Sequence, residues 1–297
     1  MTQKKLLFIV NPRAGRSKSR SPLFDAIAVF SQAGYLVSLH KTTAPGDAAI
    51  TAAREGGDYD VVVAVGGDGT LNEVISGLMR LEKRPLLGYL PQGSTNDFAA
   101  SLQISGNPVM AAMSIVRNVP CQLDIGQWNE RCFVYVASFG AFTRTSYATP
   151  QGIKNALGHT AYVLEGIQEL SQIRKEHIKM IIDGEEVEDD FLFGAICNST
   201  SVGGILTLDP EVVDLQDNKL EILLVRAPKN LAEIHECIVA LNTQKYNCAM
   251  LTFRSATHIR IFADPEMPWT LDGEREDGHS EVVVTPVHLA YRLIKRE

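Results

Sequence analysis

Three stretches of this 297-residue chain place glycines beside hydroxyl, amide and carboxylate side chains, each soon after an apolar run. The first is Gly66-Gly67-Asp68-Gly69-Thr70-Leu71-Asn72-Glu73, after the unbroken run Val61–Val65. The second is Asn11-Pro12-Arg13-Ala14-Gly15, after Leu6–Val10. The third is Gly93-Ser94-Thr95-Asn96-Asp97, after Pro85–Leu90. Where a strand ends and a helix begins, backbone N–H groups lack partners and the helix dipole is positive, which suits a phosphate. Glycine there permits positive φ and close approach of a ligand to the backbone. Asp68 is the odd member, because a carboxylate repels phosphate unless a metal ion or a donor hydroxyl lies between them. A tight turn that binds nothing is the competing reading. Asn11–Gly15 lacks the GxxxxGK[ST] spacing of a Walker loop, so it is either a phosphate or nucleotide contact of another kind or an ordinary turn. From Gly67 the pattern is G-x-G-x-x-N. The missing third glycine argues against a dehydrogenase.

The elements that must hold these loops follow from periodicity. Val61–Val65 runs apolar without alternation, as a strand covered on both faces does. Leu71, Val74, Ile75, Leu78 and Met79 then recur at helical spacing. Ser21 and Pro22 open a helix that Gly34 closes. Strands are predicted at Lys5–Val10, Tyr35–Leu39 and Pro85–Leu90, with an alanine-rich helix reaching Arg54 and another from Asn107-Pro108 to Arg117. This alternation predicts a doubly wound parallel sheet, in which ligands bind beyond the carboxyl ends of the strands. After Leu123 the chain reads mostly as strands: Cys132–Ala137, Ile178–Ile182, Phe191–Cys197, Leu220–Val225, His258–Phe262 and Glu281–Val284. Asp183-Gly184 and Asn129-Glu130 are hairpin cues. Helices are expected at 152–171 and 231–241. The fold prediction is an α/β domain of residues 1–123, rejoined by about 287–297, and a β-rich sandwich domain of residues 124–286.

The totals narrow the classes. The chain is long enough for two domains, and 45% of its residues are hydrophobic. The net charge of −7 makes nucleic acid a poor partner. MTQKK leads into a run too short for a signal sequence, and no stretch approaches the roughly 18 apolar residues that span a bilayer. A cytoplasmic protein is expected. Cys121, Cys132, Cys197, Cys237 and Cys248 are scattered and form no CxxC pair, so they read as buried free thiols.

NPRAG, GGDGTLNE, PQGSTNDFA and the late Leu271-Asp272-Gly273-Glu274, in this order and spacing, resemble the diacylglycerol-kinase catalytic family over nearly the whole chain. The resemblance implies an α/β nucleotide-binding domain and a β-sandwich with the active site in the cleft between them. It also implies magnesium-dependent transfer of the ATP γ-phosphate to a lipid hydroxyl. By the same resemblance ATP falls on Asn11–Gly15, on Thr42 or alternatively Thr43, on Gly66–Glu73, and on Ser94 and Asn96. Asp68, Asp97 and Asp124 would form the magnesium network, and Glu274 would be the general base. A second, structural magnesium would be held by the Asp217 side chain with the carbonyls of Asp214 and Lys219. Here Asn218 and Lys219 replace the family's glycine and leucine, and a solvated hairpin turn is the other reading of that loop.

The chemistry fits these residue types. Phosphoryl transfer needs placement and charge neutralisation, and three neighbouring aspartates are simplest to explain with a cation. The acceptor alcohol needs a base, which Glu274 would supply, whereas Asp272, Glu276 and Asp277 read as a solvated turn. Tyr147–Leu170 could border an acyl groove or pack on the sandwich. Arg174, Lys175 and Lys179 could touch an anionic bilayer or be a solvated face. Diacylglycerol leads as acceptor, and transient docking to a membrane follows from that function. The alternatives are a related kinase with another lipid alcohol or NAD as acceptor, or a nucleotide-binding regulator without catalysis. A twofold homodimer would be the commonest assembly.

Overall fold

A computed structural model describes residues 3–14, 21–93, 96–117, 119–140, 174–202 and 206–295. The expected helix at 152–171 and the segment Tyr147–Leu170 lie outside the described residues. The chain divides into two compact units, Met1–Asp124 with His288–Glu297, and Ile125–Val287.

The first unit contains β1 (Lys5–Val10), α1 (Ser21–Gln32), β2 (Leu36–Lys41), α2 (Asp47–Glu55), β3 (Val61–Gly66), α3 (Asp68–Leu78), β4 (Leu86–Pro91), α4 (Asp97–Ser101) and α5 (Pro108–Arg117). β1 lies between β2 and β3, β4 follows β3, and the chain's last strand joins β4 through Leu293 and Leu87; every pair is parallel. Val10 pairs with Val65 and Lys41, and Gly66 pairs with Pro91, so four strands stop level with one another. The loops after β1, β2, β3 and β4 therefore leave the same edge. Phe8, Val10, Val63, Val65 and Leu90 pack on Phe30 of α1 and on Ala111, Ala112 and Ile115 of α5. The alternate residues Leu7, Ile9, Val62 and Ala64 are just as buried, on the side where α2 and α3 pack together. Cover on both faces is why the β3 sequence shows no alternation.

The second unit holds the end of β5 (Pro120–Trp128), β6 (Arg131–Phe133), β7 (Val136–Gly140), β8 (Glu176–Ile182), β9 (Glu185–Cys197), β10 (Ser201–Val202), β11 (Leu206–Thr207), β12 (Leu220–Arg226), α6 (Leu231–Asn242), β13 (Leu251–Ala256), β14 (Ile259–Phe262), β15 (Trp269–Leu271), β16 (Glu274–Glu276) and the first half of β17 (Glu281–Ile294). Its antiparallel order is β16-β15-β7-β9-β8-β14-β17, with β12 joining β9 to β13. Trp128, Phe139 and Trp269 pack together in its core at tilted and edge-on angles, with the Trp269 centroid 4.5 Å from that of Trp128 and 4.7 Å from that of Phe139. Asp183-Gly184 closes the β8–β9 hairpin with φ of 48° and 91°, as the sequence cue required.

One predicted strand is two. Cys132–Ala137 breaks at Val134-Tyr135, because those N–H groups and that of Val136 turn to the carboxylate of Asp272. All five cysteines are free. Among the described residues no helix is long and apolar enough to cross a membrane.

Candidate active site

The level strand ends are stitched to one another. Asn11 donates its N–H to the Val65 carbonyl at 2.9 Å, Thr42 to Val10 at 2.9 Å, and Gln92 to Gly66 at 2.7 Å. The Asn11 amide donates to Thr70 Oγ1 at 3.1 Å, while its Oδ1 accepts the Arg13 N–H at 2.9 Å. Gly67 and Gly93 meet backbone to backbone. A Cβ on Gly93 would stand 2.6 Å from the Gly67 Cα and 2.7 Å from Asn96 Oδ1. Gly67 itself has φ of −88°, and the phosphate-loop glycines are not among those with positive φ. The glycines of this turn are needed for space, and not for the left-handed backbone that the sequence allowed. Asn96 takes the left-handed position, φ 54°, and closes its loop by bonding both the N–H and the carbonyl of Gly93.

Asp68 begins α3 and points at the start of α4. Its Oδ2 accepts the Asp97 N–H at 3.0 Å and its Oδ1 the Phe98 N–H at 3.4 Å. Burial pushes its carboxyl above the usual carboxylate range, the Asp97 N–H opposes that, and the Asp97 charge adds to it. The buried Tyr89 hydroxyl donates to the Gly66 carbonyl at 3.3 Å. Burial and the neighbouring Asp68 charge push the phenol well above its ordinary value. Asp68 and the 6%-exposed Asp97 are thus two close carboxylates under one glycine turn.

Other members of the predicted set act on the loops themselves. Glu73 reaches from α3 to the start of α2, accepting the N–H of Gly46 at 2.9 Å and of Ala48 at 3.1 Å. Leu71 is buried in the core and its N–H is bonded to Gly67. Thr42 hydroxyl donates to the Val10 carbonyl at 3.3 Å. Thr43 donates both N–H and hydroxyl to Asp47, at 2.7 and 2.9 Å, and these bonds pull the Asp47 carboxyl down to about 2. Pro12 and Ala14 sit in the turn after β1. Gly15 and Ser94 lie outside the described residues.

Asp124 is fully buried, and its Oδ1 accepts the Leu289 N–H at 2.6 Å and faces His288 Nδ1 at 3.0 Å. In the 214–219 loop, Asp214 accepts the Gln216 N–H and Asp217 the Lys219 N–H, both at 3.0 Å. Asn218 adopts φ of 61°, the left-handed turn that replacement of glycine required. Beside it Glu221 is buried, and its carboxyl is pushed up to about 8 by burial and then by the charges of Asp217 and Asp214. Among the described residues no three His, Cys, Asp or Glu side chains converge as a metal cage. Magnesium needs no such cage: it takes one or two carboxylates and completes its shell with phosphate oxygens and water. Asp68 and Asp97 fit that donor set.

In the second unit, β15 and β16 pair Leu271 with Glu274 across Asp272-Gly273, whose φ values are 50° and 80°. Glu274 is exposed at the start of β16. Its neighbours are not the solvated turn that their charges suggest. Asp272 is 5% exposed and Glu276 pairs with Arg131. Only Asp277 is solvated, with its side chain 89% exposed. Tyr89, Asp47 and His288 escaped the sequence reading, and Asp272, inside LDGE, was read as part of a solvated turn.

Comparison with known proteins follows the same division. Residues 5–128 match a family model described as the diacylglycerol kinase catalytic domain, and residues 136–291 one described as the YegS C-terminal NAD kinase beta sandwich-like domain. A diacylglycerol kinase of Bacillus subtilis (strain 168) is 34% identical over 275 residues, covering 91% of this chain and 90% of that protein. One from Staphylococcus aureus (strain MRSA252) is 32% identical over 275 residues, covering 92% and 86%. The crystal structure of a diacylglycerol kinase from Bacillus anthracis str. Sterne has a TM-score of 0.80 at 25% identity, covering 100% of this chain and 98% of that one.

Proposed function

This chain belongs to the diacylglycerol kinase family, and from that premise we propose that it transfers the γ-phosphate of ATP to the hydroxyl of diacylglycerol, giving phosphatidic acid. One observation carries the reading: four parallel strands end level, and the loops after β3 and β4 meet at the Gly67–Gly93 contact, where Asp68 spans two helix starts. That edge offers backbone donors to a triphosphate, with Asn11, Arg13, Thr42 and Asn96 around it.

Asp68 and Asp97 would hold magnesium there, with Asp124 as the more distant member of the network. When bound, the ion supplies charge neutralisation on the phosphate oxygens. A structural cation at Asp217, with the carbonyls of Asp214 and Lys219, would relieve the repulsion around Glu221. Glu73 orders the Thr42–Ala48 loop through its two backbone bonds. Glu274 accepts the proton of the acceptor hydroxyl, whose pKa is too high for it to leave unaided. Because diacylglycerol resides in membranes, the enzyme works at a bilayer surface, from the cytoplasmic side.

The test is labelled ATP offered with diacylglycerol, other lipid alcohols and NAD, read by chromatography, with wild type beside Glu274→Gln. Phosphate should go to diacylglycerol. Glu274→Gln should bind ATP normally and lose transfer by about 10²- to 10⁴-fold, the usual worth of a general base. Phosphorylation of NAD alone would favour the second reading, to which the NAD kinase-like description of residues 136–291 lends support. Normal transfer by Glu274→Gln would remove the general-base role.

A further inference from the structure

Asp272 is bonded on every side within the hairpin that carries Glu274. Its Oδ2 accepts the Val134 N–H at 2.6 Å, and its Oδ1 accepts the N–H groups of Tyr135 and Val136, both at 3.0 Å. Its own N–H donates to the Val136 carbonyl at 2.8 Å. These bonds fix the turn to the bend between β6 and β7. The strand leading into it is equally held: Thr270 and Ser138 hydroxyls meet at 2.8 Å, and Trp269 packs against Trp128 at a tilt and against Phe139 edge-on.

A turn former alone would not need this arrangement. With φ positive at both central residues the turn is type I′, which accepts Asn as readily as Asp at its first position. A buried carboxylate is tolerated only when its charge is fully hydrogen-bonded, and three consecutive N–H groups meet that requirement here. The result is a rigid base two residues before an exposed carboxylate.

We infer that Asp272 is a positioning residue for Glu274. Its carboxylate locks the turn, and the locked turn sets the place and direction of the Glu274 side chain. Asp272 touches no reacting atom. The inference rests on Glu274 acting as the general base.

Asp272→Asn in the full chain is the test, since Asn keeps the turn but sets an NH₂ group against backbone donors. It should melt as a folded protein, keep the KM for ATP within about twofold, and lose about 10- to 100-fold in kcat, the scale of a misplaced catalytic group. In a Glu274→Gln background the same substitution should add no further loss. Wild-type kcat in Asp272→Asn, or losses that multiply in the double variant, would overturn the inference even where Glu274→Gln alone abolishes transfer. An active Glu274→Gln variant would instead strike at the base assignment. Asp272→Ser, which keeps one acceptor, is the second variant, and failure of both to fold would make the carboxylate purely structural and also overturn the inference.

Discussion

The GGDGT turn of the first unit and the LDGE hairpin of the second are both glycine turns carrying carboxylates, and they divide the labour differently. In the first, Asp68 bonds the N–H groups that open α4 and is also the candidate cation ligand. In the second, Asp272 holds backbone while Glu274 stays exposed. The glycines differ as well. Gly67 and Gly93 leave room for two backbones to touch, whereas Gly273 supplies a φ of 80°. Where one side chain both builds the loop and serves the chemistry, deleting it disturbs both tasks at once. Where two side chains share those tasks, each can be removed alone.

The largest effect expected from this contrast is at Asp68. Asp68→Ala should lower transfer by about 10³-fold or more, the scale of losing a preorganised charge at a transferring phosphoryl group. It should also lower the melting temperature, because α4 loses a capping carboxylate worth about 1 kcal/mol. Asp68→Asn keeps an acceptor for the Asp97 N–H and removes the charge. It should recover the melting temperature and not the turnover. Recovery of turnover by Asn would show that only the loop-building task matters, and the contrast with Glu274 would vanish.

Next in size is Gly93→Ala. The added methyl would press on the Gly67 Cα and on Asn96 Oδ1, so one loop must move. Overpacking of this kind costs about 1–3 kcal/mol, and the displaced loop should weaken ATP binding with it, read by calorimetry and thermal melting. Gly273→Ala meets a conformational barrier of about 1–2 kcal/mol instead, and should leave ATP binding unchanged. Equal ATP affinities in the two variants would mean that the glycines do not differ as argued.

The sheet of the first unit was legible because local signals agreed with the fold. An apolar run without alternation, a glycine turn and an amphipathic helix each pointed to β3 and α3. The glycine loops after β1, β3 and β4 stood out for the same reason, whereas the ATP contacts assigned within them came from the family resemblance. What escaped depended on partners distant in sequence. The break in the expected strand Cys132–Ala137 comes from Asp272, 136 to 138 residues away. Glu73 looked like a loop residue, but its carboxylate serves backbone 25 and 27 residues earlier. β9 starts at Glu185 and not at Phe191, because its acidic residues, which read as loop, find Lys179 and His177 on β8. β15 and β16 are three residues each, too short to show any period.

The smallest predicted effect is electrostatic and compares Asp68 with Asp47. Both carboxylates accept backbone N–H bonds, yet their acidities move in opposite directions. Asp68 is half-buried, and the loss of water around its carboxyl outweighs its bonds. Asp47 has a side chain 19% exposed beside the Thr43 N–H and hydroxyl, and the bonds win. Its folded-state value of about 2 lies below the ordinary 3.8. A depressed carboxylate stabilises the fold above its unfolded pKa, and that contribution fades as pH falls through the folded one. The Thr42–Ala48 loop should therefore hold unchanged from neutral pH down to about 4 and loosen only towards 2. Carboxyl NMR should titrate Asp47 near 2, and the Thr43 amide should exchange faster in Asp47→Asn at neutral pH, with the difference gone at the acid end. An ordinary midpoint of 3.8 for Asp47 would mean that its bonds to Thr43 do not outweigh even slight burial. Burial would then no longer be what separates the two aspartates.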